Sequence, residues 1–161
     1  MFDHVIASDL ERARRTAEII AGQLGIGPIH LDERLRENHA GEWEGLTRDE
    51  VDAGWPGFLD QHRRPPGFEP AQEVEVRVLA ALIETAREVG DGEVLAVAHG
   101  GIIRVLRRLL EVPDVAIPNL GGTWFTVHHT PKLRVDAGDL VTLVDDVDGP
   151  GPAQAAEAER L

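Results

Sequence analysis

Hydrophobic side chains recur at intervals of three and four residues in two long segments of the chain. This spacing places them on one face of an α-helix. They are Leu10, Ala13, Ala17, Ile20 and Leu24 in the first segment, and Val74, Val78, Leu82, Ala86 and Val89 in the second. Gly25 and Gly27 follow the first segment and Gly90 follows the second, and glycine commonly ends helices. The pattern therefore predicts two amphipathic helices.

Apolar runs predict strands between these helices. Residues 4–7 form a short run, and residues 93–98 are apolar at nearly every position, as in a parallel strand covered on both faces. A helix is expected over 102–110, and the alternating residues 123–129 are expected to pair with 140–144 across a turn at 137–139. Strands separated by helices favour an α/β fold, a three-layer sandwich with a mostly parallel central sheet flanked by helices.

Two segments carry the sequence signature of a helix N-terminus. Ser8 and Glu11 are spaced as in a capping box, which predicts that Ser8 caps the first helix. Thr47 and Glu50 have the same spacing and predict a shorter helix that ends near Gly54.

Composition and charge narrow the class of protein. The formal net charge of −13 argues against nucleic-acid binding, which needs a basic surface. The chain has no cysteine, so it offers neither disulfides nor thiolate sites. It shows no signal-peptide pattern and no apolar run of membrane-spanning length. We expect a cytoplasmic protein with no nucleic-acid and no membrane partner.

The length and the acidic C-terminus predict the domain organisation. A chain of 161 residues fits one domain with a sizeable core. Residues 147–161 are acidic and rich in Ala, Gly and Pro, which is typical of a disordered tail. We expect one domain over residues 1–146 and a disordered tail over 147–161.

Two predicted strands end in residues that could hold an anion. Ser8 and His99 each follow a strand and precede a helix, and ligands of open α/β sheets bind at such strand ends, where helix N-termini favour anions. Gly100 would let a ligand approach the backbone. Arg12 lies in the first helical turns, where a cation opposes the helix dipole. A guanidinium that faces a phosphate would explain this position; a solvated surface arginine is the alternative.

Three segments in this order, at residues 8–17, 35–45 and 94–101, resemble the histidine phosphatase superfamily of phosphoglycerate-mutase-like enzymes. The resemblance implies that Arg12, Ser8 and Gly100 bind the phosphate of a phosphorylated small molecule. It implies that His99 stabilises the transferring phosphoryl group. Glu37 would protonate the leaving oxygen and then activate water, as general acid and base. No metal and no organic cofactor is implied.

The family normally begins with a strand that ends in Arg-His-Gly, whose histidine carries the phosphoryl group, and this motif does not occur in the sequence. Three hypotheses follow. The sequence is a fragment, or a late-started version, of an active phosphatase. Alternatively, it is a pseudo-enzyme that still binds phosphorylated ligands. In the third, it is an interaction protein whose open sheet accepts a strand from another chain, for example in a strand-exchanged homodimer.

Other polar residues are weaker candidates. Glu42 and Glu44 are alternatives to Glu37 as the proton donor, and His39 is expected only beside the pocket. The pair at 63–64 resembles weakly an arginine pair that holds the substrate carboxylate in mutases, although a solvated loop is favoured. Asn38 stands where mutases tend to carry an arginine, which favours the broader phosphatase branch. The histidines at 128 and 129 should point to opposite faces of a strand, so no metal site is assigned.

Overall fold

The computed structural model describes residues 2–128 and 132–142. Its parallel sheet has the strand order β2-β1-β3, and the strands are β1 (His4–Ala7), β2 (Ile29–Leu31) and β3 (Val94–Val97). The helices are α1 (Glu11–Leu24), α2 (Arg48–Gly54), α3 (Ala71–Val89) and α4 (Gly100–Leu109). An antiparallel hairpin is formed by β4 (Gly121–His128) and β5 (Arg134–Thr142).

The sheet lies between two helical layers because β1 is apolar on both faces. Ile6 belongs to a buried cluster with side chains of α3 and α4. The pleat directs Val5 and Ala7 to the opposite face, where α1 packs on the sheet through its buried alanines. Both residues are fully or almost fully buried. This arrangement confirms the α/β fold with a parallel sheet flanked by helices.

The predicted helices α1, α2 and α3 are present with the expected ends. Gly25 follows α1 with φ of 67° and Gly90 follows α3 with φ of 70°, a left-handed region that glycine adopts without strain. Thr47 accepts a hydrogen bond from the Glu50 N–H, and the Glu50 carboxylate accepts one from the Thr47 N–H. This capping box is therefore confirmed.

The predicted capping box at Ser8 is wrong. Helix α1 begins at Glu11, and Leu10 occupies the cap position without a side-chain hydrogen bond to the helix. The Ser8 hydroxyl accepts a hydrogen bond from the Leu10 N–H, at 3.3 Å, which lies before the helix. Ser8 is instead held on the sheet, where its N–H donates to the Val97 carbonyl at 2.9 Å.

Strand β3 has helices on both faces, as predicted: Val94 packs against the buried cluster of α3 and α4, and α1 contacts β3 from the other side of the sheet. The strand is nevertheless less buried than its apolar sequence suggests. Among the described residues β3 pairs only with β1, so its other edge has no neighbouring strand there. Ala96 is exposed, while Leu95 and Val97 are only partly buried. The apolar sequence of β3 therefore does not predict how many strands lie beside it or how deeply its side chains are buried.

The hairpin pairs as predicted, but its turn lies elsewhere. The residues expected in the turn, 137–139, are inside β5, and Ala137 pairs with Phe125. An irregularity of register between Thr123 and Phe125 accommodates this pairing. The chain reverses between His128 and Arg134. His129, the predicted strand end at 143–144 and the predicted tail at 147–161 lie outside the described residues.

Arg107 of α4 attaches the hairpin to the rest of the domain. Its residue is 5% exposed, and its guanidinium donates to the Pro113 carbonyl, the Thr123 hydroxyl and the Gly138 carbonyl. The side chain therefore connects α4 to both strands of the hairpin.

None of the helices in the described residues has the length and apolar character that a membrane span needs.

Candidate active site

Parallel pairing of β1 and β3 brings the two residues that follow them into contact. Ser8 follows β1 and His99 lies two residues beyond β3. The Ser8 Oγ and the His99 Nε2 are 2.9 Å apart. Ser8 is fully buried, so in this conformation it reaches a ligand only through the imidazole. Its predicted direct contact with phosphate stays a prediction; in this structure the hydroxyl contacts the His99 ring.

The environment of His99 keeps its imidazole neutral. The residue is 8% exposed, and burial, followed by the positive charges of Arg12 and Arg77, lowers the pKa of His99 to about 4. At neutral pH the ring carries one N–H and one acceptor nitrogen. With Nε2 bonded to Ser8, the second nitrogen remains for a ligand. The ring can therefore donate one hydrogen bond to an anion when Nδ1 carries the proton.

Arg12 supplies the charge that an anion would meet at this end of the sheet. It lies in the first turn of α1 and is exposed, and its charge acts on the pKa of His99. Within residues 2–128 and 132–142 its guanidinium has no hydrogen bond and no ion pair. A cation at a helix N-terminus gains nothing from the helix dipole, so Arg12 is available for an anion from solution.

Glu37 reaches the N-terminus of α4 from a distant loop. Its Oε2 accepts a hydrogen bond from the Gly101 N–H at 3.0 Å, and its Oε1 accepts one from the Asn38 N–H at 3.0 Å. Gly101 makes this approach feasible, because a Cβ atom there would lie 2.4 Å from the Glu37 Oε1. The carboxylate therefore accepts a hydrogen bond from one of the N–H groups that a helix leaves without an intrahelical partner.

Gly100 is the first residue of α4. A Cβ atom at this position would meet Ile117 at 3.7 Å, which is an ordinary contact. An alanine side chain would therefore fit at position 100, whereas at position 101 it would clash with the Glu37 carboxylate. The predicted approach of a ligand to the Gly100 backbone stays a prediction.

Sequence reasoning missed an ion pair at the rim of the site. The Arg36 Nε donates to the Asp9 Oδ1 at 2.7 Å, and the Arg36 Nη2 makes a second, short contact with the same carboxylate. This partner lowers the pKa of Asp9. Neither residue belongs to a spacing that predicts the pair, because the two lie in segments joined only by the fold.

The remaining candidates lie in other surroundings. Glu42 is exposed, and the exposed Glu44 carboxylate accepts a hydrogen bond from the Ala40 N–H. The His39 Nδ1 contacts the Gly67 carbonyl and accepts from the Gly41 N–H. Neither glutamate makes a hydrogen bond at the α4 N-terminus, whereas Glu37 does.

The arginines at 63 and 64 lie over aromatic rings. The Arg63 guanidinium is 3.9 Å from the centroid of Phe58, and that of Arg64 is 5.0 Å from the centroid of Phe68. Burial and the charge of Arg108 lower the pKa of Arg64. These contacts keep both side chains on the hydrophobic cluster that contains Trp43, Phe58 and Phe68, and their predicted weak match to a carboxylate-binding pair stays untested.

The site combines a free guanidinium, a neutral imidazole, helix N–H groups and a carboxylate at the carboxyl ends of two parallel strands. This combination can bind an oxyanion and exchange a proton with it. Among the described residues no second histidine contacts His99, and no group of three side chains could hold a metal ion. Fold and site together define an α/β protein with a candidate oxyanion-binding edge.

Comparison with known proteins places the chain in a family. The model of the histidine phosphatase superfamily (branch 1) matches residues 1–135, and the chain belongs to this superfamily. The resemblance seen in the sequence is thus confirmed.

The relatives are phosphatases and mutases. Glucosyl-3-phosphoglycerate phosphatase of Mycobacterium tuberculosis is 37% identical over 132 residues, covering 73% of this chain and 59% of that protein. A 2,3-bisphosphoglycerate-dependent phosphoglycerate mutase of Methylobacterium radiotolerans is 32% identical over 131 residues, covering 74% and 61%. The chain thus spans about three fifths of the length of these relatives.

A solved structure supports the same fold. It is that of mycobacterial glucosyl-3-phosphoglycerate phosphatase in complex with inorganic phosphate, with a TM-score of 0.71 and 30% identity over 86% of this chain and 76% of that chain.

Proposed function

We propose that this chain forms the phosphate-binding and proton-transfer part of a phosphomonoesterase site. The nucleophilic histidine is then supplied by a segment outside this sequence, and without it the chain binds phosphorylated small molecules but does not turn them over. The observation that carries the proposal is the placement of three groups around the N-terminus of α4: the buried imidazole of His99, the charge of Arg12 that acts on its pKa, and the Glu37 carboxylate on the Gly101 N–H. A solved relative bound to inorganic phosphate adds support.

In the proposed reaction, the supplied histidine nitrogen attacks phosphorus and the bond to the ester oxygen breaks. Arg12 and the His99 N–H hold the charge on the equatorial oxygens. Glu37, protonated at the start, gives its proton to the leaving alkoxide. In the second step Glu37 takes a proton from water, whose oxygen attacks phosphorus and releases inorganic phosphate and the free histidine.

The electrostatics suit these roles. A neutral His99 can donate to a phosphate oxygen without competing for the proton that Glu37 carries. The Gly101 N–H holds the carboxyl in place before the substrate arrives.

Anion binding by the chain alone tests the proposal. Calorimetric titration with orthovanadate should show one site, and Arg12→Ala should weaken it about tenfold to a hundredfold, the loss of one charge-assisted contact of about 1.5–3 kcal/mol. Arg15→Ala is the matched control, because Arg15 is an exposed arginine on the same helix. No binding by the parent chain, or equal binding by both variants, contradicts the proposal.

Turnover separates the enzyme fragment from the alternatives. The chain alone should not hydrolyse p-nitrophenyl phosphate, and co-expression with a strand that ends in Arg-His-Gly should restore hydrolysis. Vanadate binding without any restored turnover would favour the pseudo-enzyme. Full turnover by the chain alone would place the nucleophile within this sequence and refute the proposal.

The open edge of β3 favours the strand-exchange alternative as a second candidate. The side of β3 away from β1 has no strand partner among the described residues, and an unpaired strand edge presents backbone N–H and C=O groups with which another chain can pair. A strand-exchanged dimer in sedimentation, without affinity for vanadate, would select this function. A homodimer and a cytoplasmic location both stay predictions.

A further inference from the structure

Arg77 of α3 uses every hydrogen-bond donor of its guanidinium within the protein. Its Nη1 donates to the Arg34 carbonyl at 2.6 Å and to the Arg36 carbonyl at 2.8 Å, and its Nη2 donates to the Glu37 carbonyl at 3.4 Å. The other two N–H groups donate to the Glu69 carboxylate, at 2.7 and 2.9 Å. A guanidinium has five N–H donors, so none remains for a ligand.

Glu69 holds the same loop from the other side. Its Oε2 accepts from the His39 N–H at 3.1 Å, and its own N–H donates to the His39 carbonyl at 2.9 Å. The side chains of Arg77 and Glu69 are 20% and 16% exposed. The hydrogen bond from Arg77 lowers the pKa of Glu69. The pair therefore fixes the backbone immediately before and after Glu37.

We propose that the Arg77–Glu69 pair is the positioning device that places the Glu37 carboxyl against the Gly101 N–H. The inference rests on the proposed function for its catalytic meaning, but the geometry can be tested without activity. Arg77 holds the backbone carbonyl of Glu37, and the Gly101 N–H of α4 holds its carboxylate.

A loop residue without such support would not keep this geometry. The loop connects a short turn at Glu33–Leu35 to another at Gly41–Trp43, so no regular element sets the position of Glu37. A catalytic group needs its position fixed to within about 0.5 Å. Three backbone carbonyls that accept hydrogen bonds from one partly buried guanidinium supply that restraint.

The contrast with Arg12 separates positioning from binding. Both charges lower the pKa of His99, so both lie near the candidate site. The Arg12 guanidinium is exposed and has no partner among the described residues, whereas that of Arg77 makes five hydrogen bonds to four residues. Ligand binding by Arg77 would require breaking at least one contact that holds the Glu37 loop.

Hydrogen exchange at Gly101 gives a direct readout. Helix N-terminal amides have no intrahelical acceptor, so protection of the Gly101 N–H depends on Glu37. In Arg77→Met, NMR should show exchange at Gly101 at least tenfold faster than in the parent chain, with the amides of the last turn of α4 unchanged. Arg87→Met is the matched control, an exposed arginine on the same helix, and should leave Gly101 unchanged.

A double-mutant cycle distinguishes positioning from general stabilisation. Glu37→Ala should accelerate exchange at Gly101, and adding Arg77→Met should produce no further acceleration. Acceleration throughout α4, an additive double variant, or an Arg77→Met variant that matches Arg87→Met would overturn the inference. If Arg77→Met does not fold, Glu69→Gln is used with the same criteria, because it keeps the guanidinium and weakens only its carboxylate contact.

The two proposals fail separately. A parent chain that does not bind vanadate refutes the proposed function, and the exchange at Gly101 still decides the role of Arg77. If the parent chain binds vanadate, Arg77→Met should also lower its affinity, by a smaller factor than Arg12→Ala. Loss of affinity without a change at Gly101 would overturn the positioning role.

Discussion

Lowering the pH from 7 to 5 should destabilise the folded protein through the buried imidazole of His99. The pKa of this group is about 4 in the folded protein, against the ordinary value of 6.5. Between these values the unfolded chain binds a proton that the folded chain does not. Stability contributed by the neutral ring is therefore complete above pH 6.5 and is lost progressively as the pH falls toward 4.

The magnitude follows from the difference between the two pKa values. Full protonation corresponds to about 3 kcal/mol, at about 1.4 kcal/mol for each pKa unit, and about 2 kcal/mol of this is lost by pH 5. The carboxylates of Asp9, Asp32, Glu69 and Asp114 have lowered pKa values. Their contributions are lost at lower pH, so the chosen interval isolates His99.

Urea unfolding of the parent chain and of His99→Asn at pH 7 and pH 5 measures the effect. The parent chain should lose about 2 kcal/mol more than the variant between the two pH values. The variant also loses the contact of His99 with Ser8 at both pH values, so the comparison uses only the change with pH. His62→Asn, at an exposed residue with φ of 53° that asparagine tolerates, should keep the parent's dependence. Equal losses in the parent and in His99→Asn would refute the reasoning.

Two further substitution pairs test the packing around the site by denaturant unfolding. Gly101→Ala should cost about 1–2 kcal/mol, because its Cβ would displace the Glu37 carboxylate, whereas Gly100→Ala should stay within about 0.5 kcal/mol; equal costs would contradict the close approach. Arg107→Met should cost about 2–4 kcal/mol, because three acceptors lose their donor. The exposed neighbour variant Arg108→Met should cost under about 1 kcal/mol, and equal losses would show that Arg107 does not anchor the hairpin.

Local signals in the sequence predicted the helices well. The ends of α1 and α3 follow from the positive φ angles at Gly25 and Gly90, and the start of α2 follows from the capping box formed by Thr47 and Glu50. These interactions join residues within a few positions of one another. Their energies depend little on the rest of the fold, and a linear pattern therefore reports them.

The same reasoning failed where a local partner competed with a distant one. Ser8 and Glu11 have the spacing of a capping box, but the Ser8 hydroxyl contacts His99, 91 positions away. The parallel register of β1 and β3 fixes that contact. No property of the segment around Ser8 states which strand will lie beside it.

The residues of the candidate site were likewise predictable from the sequence only in part. The sequence determined that Ser8 and His99 stand at strand ends followed by helices and that Arg12 lies in the first turn of one of these helices, because strand and helix patterns are local. Only the tertiary structure decided that Glu37 meets the Gly101 N–H, 64 positions away, and that Arg77 holds its loop. Likewise, the apolar sequence of β3 is local information, whereas the exposure of Ala96 depends on which strands pair beside it. Periodicity encodes which face of an element is apolar; strand register and loop closure decide which side chains meet there.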